Sequence, residues 1–148
     1  MTTWTEITAA VTVALGGDKA AGQQALLACW EDTVPDEHAY RCVLAHYLAD
    51  TETDLDAEIS WDETALAEHA GVSDEDLAPL GIPSAGGFAP SLHLNLGDGY
   101  LRRGDPGRAR GHLEQGLALA KELDSEGYGA MIRSGLDNLG LRISDAGA

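Results

Sequence analysis

The sequence predicts an all-α protein: an array of antiparallel helix pairs, about seven helices in three pairs, closed by a C-terminal capping helix. Three observations carry that prediction. Apolar residues recur at intervals of three and four rather than two, and strand signals are nearly absent. Residues 90–123 read as two short amphipathic helices joined by a tight turn, Arg103-Gly104-Asp105-Pro106. A fragment of that unit returns 43 residues on, where Asn95-Leu96-Gly97 is echoed by Asn138-Leu139-Gly140. A recurrence at such a period is the mark of a helical repeat. The chain's 148 residues suggest one domain, long enough to bury a sizeable core.

The elements follow in order. A first helix is expected over 5–15, ending at the turn Gly17-Asp18, and its partner carries Gly22, Leu26 and Cys29 at i, i+4, i+7. A second pair covers 36–49 and 55–70. Residues 71–89 hold Pro79, Gly81, Pro83, Ser84, Gly86 and Gly87, and read as a Gly/Pro-rich linker. Ser73 can start a short helix over 74–80 within it. In the third pair, Asp105 followed by Pro106 is an N-cap with proline at the first helical position. Gly97 lies mid-helix, where glycine costs about 0.8–1 kcal/mol against alanine. A helix carries that cost where another backbone comes close. The last helix, over 126–144, opens a repeat that does not close, and so caps the array.

The 90–123 unit resembles a tetratricopeptide repeat (TPR). Leu96, Gly97, Tyr100, Gly104, Asp105, Ala109, Leu113 and Gly116 match the family's alternation of small and large residues. The departures are His93 at the usual bulky position and Lys121 at the terminal proline. Gly22, Leu26 and Cys29 stand in the places of Ala109, Leu113 and Gly116; Ala57, Trp61 and Thr64 do so more faintly. The resemblance implies that the first helix of each pair lines a concave groove. Carried onto this chain, the groove positions are His46 and Asp50 in the second pair, Asn95, Asp98 and Arg102 in the third, and Asn138 in the capping helix. An asparagine amide can both donate to and accept from a peptide backbone. No lysine lies on the first, third or fifth helix, so the carboxylate clamp of some TPR proteins is not expected. Arg102 either pairs with Asp98 or reads an acidic group.

Charge is uneven. The net charge is −16, and residues 31–76 hold 15 Asp or Glu against a single base, Arg41. From residue 90 onward there are 8 acids and 7 bases. An acidic first half argues against nucleic acid, which needs a basic footprint. It suits a basic peptide, protein face or cationic small molecule, and it also serves solubility.

Chemistry leaves few signals. There is no GxxxxGK[ST], no HExxH and no GxSxG. Gly97-Asp98-Gly99 lacks a third glycine and sits inside a helix, so it is not a dinucleotide fingerprint. No enzymatic activity and no cofactor are expected. His38, Cys42, His46 and Asp50 fall four apart on one helix face, but each step rises about 6 Å, so one ion reaches only an adjacent pair. His46 with Asp50 is the version that survives, against a plain helix face with Cys42 buried and His46 half-exposed. Tyr40 and Tyr47 are expected in the core or on a binding surface. Cys29 and Cys42 read as buried thiols of a reducing compartment. With no basic region leading an apolar run and no long apolar stretch, a cytoplasmic location without membrane contact is expected. The expected function is a non-catalytic module holding a peptide or protein segment, basic in character. The alternative is a helical accessory protein binding a small molecule or metal, and a homodimer through the array's ends stays open.

Overall fold

A computed structural model describes residues 1–82, 84–124 and 126–147. In chain order it runs α1 (Trp4–Leu15), α2 (Lys19–Glu31), α3 (His38–Thr51), α4 (Leu55–His69), a 3-10 helix (Asp74–Leu80), α5 (Ala85–Arg102), α6 (Pro106–Ala120) and α7 (Tyr128–Ala146). Among the described residues there is no strand.

Five of the α-helices begin at a side-chain oxygen that accepts from an otherwise free amide of the first turn. Thr3 caps α1, Asp18 α2, Asp54 α4, Ser84 α5 and Asp105 α6. The corners of the first and third pairs are alike. Gly17 (φ +102°) and Gly104 (φ +87°) turn the chain through the left-handed region, and the next residue, Asp18 or Asp105, caps the following helix.

Consecutive helices pack as antiparallel neighbours, α1 on α2, α3 on α4 and α5 on α6, with α7 laid against both α5 and α6. Two glycines permit close crossings. A Cβ on Gly22 would lie 2.4 Å from the Cα of Ala14, and one on Gly97 would lie 2.6 Å from Cδ2 of Leu139. Gly22, Leu26 and Cys29 are all buried, as are Ala109, Leu113 and Gly116. One apolar cluster joins α1, α2 and α3 with Leu77, Phe88 and Leu92. A second joins Ile59 of α4 to α5, α6 and α7 through Leu96, Leu113, Leu136 and Leu139.

Three expectations are corrected. The segment 71–89 is not a linker throughout, because its last five residues are the first turns of α5. Pro90 therefore sits inside a helix, where its missing N–H forgoes a single bond near the start. The Ser84 cap and the burial of Ala85, Phe88, Ala89 and Pro90 outweigh that loss. Ser73 does start the short helix, its amide donating to Asp76 at 2.9 Å. In α4 the buried stripe is Ile59, Asp62 and Ala65, while Ala57, Trp61 and Thr64 are only half-buried. The face is rotated because Trp61 leans on Trp30 (5.1 Å between rings) and donates to Glu52. α3 and α7 each begin and end two residues later than expected.

Candidate functional site

Half of α3 is core, with Cys42, Val43, Leu44, Ala45, Leu48, Ala49 and Thr51 buried. In its C-terminal half it leaves His46, Tyr47 and Asp50 outside the core. These three form one side of a cavity of about 930 Å³. Phe88, Ser91 and Asn95 of α5 form its floor, and Tyr128, Met131 and Ile132 of α7 face them. Leu119 and Leu123 close the side toward α6. That volume falls in the range of small-ligand pockets, roughly 300–1,000 Å³. α1 contributes nothing to it.

The far wall is held by one residue. Arg133 donates to the carbonyls of Ala120 (3.0 Å), Leu123 and Asp124, satisfying acceptors left free where α6 ends. The chain can then double back tightly enough that a Cβ on Gly129 would overlap the Asp124 carbonyl. This corner brings Glu122, Asp124 and Glu126 to the rim. With Asp50 they are the charged residues of the lining, and among the described lining residues there is no lysine or arginine.

His46 is wedged between two aromatic rings, 5.0 Å from Tyr47 and 5.1 Å from Phe88, both edge-on. Its Nδ1 lies 3.4 Å from Nδ2 of Asn95, so that with the amide donating this nitrogen accepts as part of a neutral ring. Burial favours the same neutral form, pushing the imidazole down to about 4. The Asp50 carboxyl is raised by burial and by Glu58, with Lys19 opposing. His46, Asp50 and Asn95 thus share one cavity.

The other expected positions lie elsewhere. Asp98 and Arg102 pair at 2.9 Å; Arg102 also bonds Glu58, and Arg142 of α7 bonds Asp98 at 2.8 Å. With Arg103 and Asp56 at 3.3 Å, these pairs tie α4, α5 and α7 together outside the cavity. Asn138 is exposed on α7, also outside it. Nor do the four-spaced residues of α3 converge. His38 bonds Glu68 at 2.7 Å, Cys42 is buried with its thiol pushed up to about 12, and His46 turns to Asn95. Among the described residues no group of three His, Cys, Asp or Glu side chains is placed to hold a metal ion. Cys29 and Cys42 are both free and buried. Tyr40, half-buried, packs against the first apolar cluster, edge-on to Trp4 at 4.8 Å.

Two features escaped the sequence reading. Asp62 of α4 is 3% exposed, and its Oδ1 has no hydrogen-bond partner. Burial, then Asp50 and Glu58, push its carboxyl up to about 8, against the pull of Arg102 and Asn95. The only sequence signal was its place at i+3 between Ile59 and Ala65. The second feature is a histidine pair at the α5–α6 crossing, His93 Nδ1 to His112 Nδ1 at 3.0 Å. His112 also stacks on Tyr100, whose hydroxyl donates to Glu63 at 2.6 Å. His93 is 5% exposed; burial first, then His112 and His69, push it down to about 4.

A scan of protein-family models, a search of curated proteins and a search of solved structures each find no match to this chain.

Proposed function

We propose that this chain is a TPR-like interaction module without catalytic activity, which holds a basic peptide or protein segment in the cavity between α3, α5 and α7. One observation carries the reading: every charged residue among the described lining residues is an acid, namely Asp50, Glu122, Asp124 and Glu126. Charges of one sign around a low-dielectric cleft concentrate ligands of the other sign. The wall is otherwise apolar and aromatic, and Met131, Tyr128 and Leu119 stay 62%, 45% and 41% exposed at its mouth. An extended segment can bury apolar side chains there while its cations meet the rim. Asn95 and Ser91 offer donors and acceptors for a backbone. No helix among the described residues is long and apolar enough to cross a membrane. Two free buried thiols suit a cytoplasmic setting.

Selection from a randomised peptide library displayed on phage tests the proposal. Recovered peptides should be rich in lysine or arginine. Binding should fall for the Glu122→Gln/Asp124→Asn double variant. It should be lost for Gly86→Trp, since Gly86 lines the cavity and has open space where a side chain would grow. Recovered sequences without basic residues, or binding that survives Gly86→Trp, would refute the assignment. The second reading, a small cationic molecule as ligand, is favoured by the cavity's size, and a thermal-shift panel of amines would reveal it.

A further inference from the structure

The histidine pair stands at the closest part of the α5–α6 crossing. His93 of α5 backs onto Gly116 of α6, where an added Cβ would come within 3.4 Å of the His93 Cβ. His112 of α6 backs onto Gly97 of α5, where an added Cβ would come within 3.7 Å of the His112 Cβ. Each imidazole thus lies beside a glycine of the opposite helix, and the two Nδ1 atoms meet at 3.0 Å. The same two glycines seat α7. A Cβ on Gly97 would lie 2.6 Å from Cδ2 of Leu139, and one on Gly116 would lie 2.9 Å from Cδ2 of Leu136. Three helices therefore close on one point, and all three line the cavity. Ser91 and Asn95 stand two residues either side of His93 on α5, Leu119 belongs to α6, and Met131, Ile132 and Gly135 to α7.

A hydrogen bond between two Nδ1 atoms needs one to donate and the other to accept. The contact holds with both rings neutral, or with one imidazolium donating to a neutral ring. Two imidazoliums cannot hold it, because neither has a lone pair left and both are positive. The surroundings do not accommodate the second charge. His93 is 5% exposed, and His112 is stacked on Tyr100 at 5.6 Å. Glu63 on α4 favours protonation of both rings, but its carboxylate already accepts from the Tyr100 hydroxyl at 2.6 Å. His69, also on α4, opposes it. The guanidinium groups of Arg103 and Arg108 lie 4.9 and 5.4 Å from the Tyr100 ring centre and bring more positive charge to the crossing. From α7 the residues that reach it are Leu136 and Leu139, which are apolar. Burial first, then His112 and His69, push the His93 imidazole down to about 4, and burial lowers His112 as well.

We propose that the His93–His112 pair is an acid-operated latch on the cavity: a second proton breaks the contact, spreads α5 from α6 and unseats α7, so that the cavity opens and its ligand leaves. The part that concerns the ligand rests on the cavity being the binding site. The proton comes from solvent, and only an N–H bond forms. The closed form excludes a proton that the open form accepts, so opening is favoured as pH falls from about 6.5 toward 4. For one such group the opening equilibrium gains up to about tenfold per pH unit inside that window.

Hydrogen exchange of the full chain, followed by NMR at pH 7, 6 and 5 and corrected for intrinsic rates, reads the latch without a ligand. Protection of the α7 amides from Ile132 to Leu139 should fall at least tenfold from pH 7 to 5 in the wild type. In His93→Gln it should fall less than twofold, and in both chains α1 and α2 should keep theirs. A glutamine carbonyl accepts from the His112 ring in either protonation state, and the variant's spectrum at pH 7 reports whether it folds. The variant keeps every carboxylate of the wild type, so the difference between the two isolates the pair. His38→Gln is the control: His38 of α3 bonds Glu68 of α4, and its loss should leave the wild-type response. The link to the cavity is read with a fluorescein-labelled Lys-Leu-Lys-Leu-Lys amide. Its dissociation should quicken at least fivefold from pH 7 to 5 in the wild type and stay within twofold in His93→Gln. Constant protection of α7, equal loosening in His93→Gln, or equal loosening of α1 and α2 would overturn the latch. A looser α7 with unchanged dissociation would overturn its control of the cavity. Failure of the peptide to bind at pH 7 would count against the basic-peptide reading alone, and the exchange rates would still decide the latch.

Discussion

Replacing Gly22 by alanine sets two known effects against each other. Alanine is the better helix former by about 0.8–1 kcal/mol, so in an isolated helix the change would stabilise. In this fold the new methyl would stand 2.4 Å from Cα, 2.6 Å from Cβ and 2.7 Å from the backbone nitrogen of Ala14. Ordinary carbon contacts begin near 3.5 Å, so α1 and α2 would have to separate by about 1 Å. The obstacle is backbone, and no rotamer change relieves it. Overpacking of this kind costs about 1–3 kcal/mol, and it strains the packing of Ile7, Ala10 and Leu26 around the crossing. Less the helix gain, the expected net effect is a loss of about 0–2 kcal/mol, or a fall in Tm of up to roughly 8 °C for a chain of this size. Gly111→Ala is the control. It too lies inside a helix, but nothing stands within 4 Å of its Cβ position. There the helix term acts alone, and Tm should rise by roughly 2–4 °C. Thermal and urea denaturation followed by circular dichroism measure both. If Gly22→Ala raises Tm as much as Gly111→Ala does, the close α1–α2 crossing is wrong.

Three further outcomes are expected. His93 has its folded pKa pushed below the ordinary histidine value, so the unfolded chain binds more protons, and the stability this group contributes is lost as pH falls from about 6.5 toward 4. The stability difference between wild type and His93→Gln should therefore vary with pH across that window and level off above 7; a constant difference would mean that the His93–His112 contact does not exclude a second proton. Asp98→Asn should cost less than about 1 kcal/mol, since its partners Arg102 and Arg142 are about 41% and 42% exposed, and should leave peptide affinity unchanged, whereas Asn95→Ala should weaken binding at least tenfold. Equal losses of affinity in calorimetry would shift the site from the cavity to the ion-pair network. Arg133→Met should speed amide exchange in the α6–α7 corner without changing that of α1 and α2; uniform acceleration, or none, would show that the carbonyl contacts do not hold the corner.

Where the sequence could be read well, the physics was local. Asp18 and Asp105 cap helices because an aspartate oxygen reaches an amide three residues on, wherever the helix later packs. Leu96, Ala109, Leu113 and Leu139 recur at helical spacing, and all are buried. The segment 85–89 was misread because Gly86 and Gly87, with Pro90 just after, weaken a helix locally, and the burial that compensates comes from partners distant in sequence. The face of α4 was misread for a similar reason: Trp61 is placed by Trp30 on another helix pair. Of the expected groove positions, the structure gathers His46, Asp50 and Asn95 in the cavity and leaves Asp98, Arg102 and Asn138 outside. Periodicity puts Asn95 and Asp98 on one helix face, but it does not show that arginines from two helices are already there to meet Asp98.

By itself the sequence determined the all-α class, the paired helices with their matching Gly-Asp corners, and the uneven charge. Those follow from periodicity, caps and composition, which act over a few residues. Tertiary structure alone decided that a cavity opens between α3, α5 and α7, that the charged residues among its described lining are all acids, and that Asp62 is buried on α4. Each of these depends on side chains tens of residues apart, whose separations are set only when the helices pack.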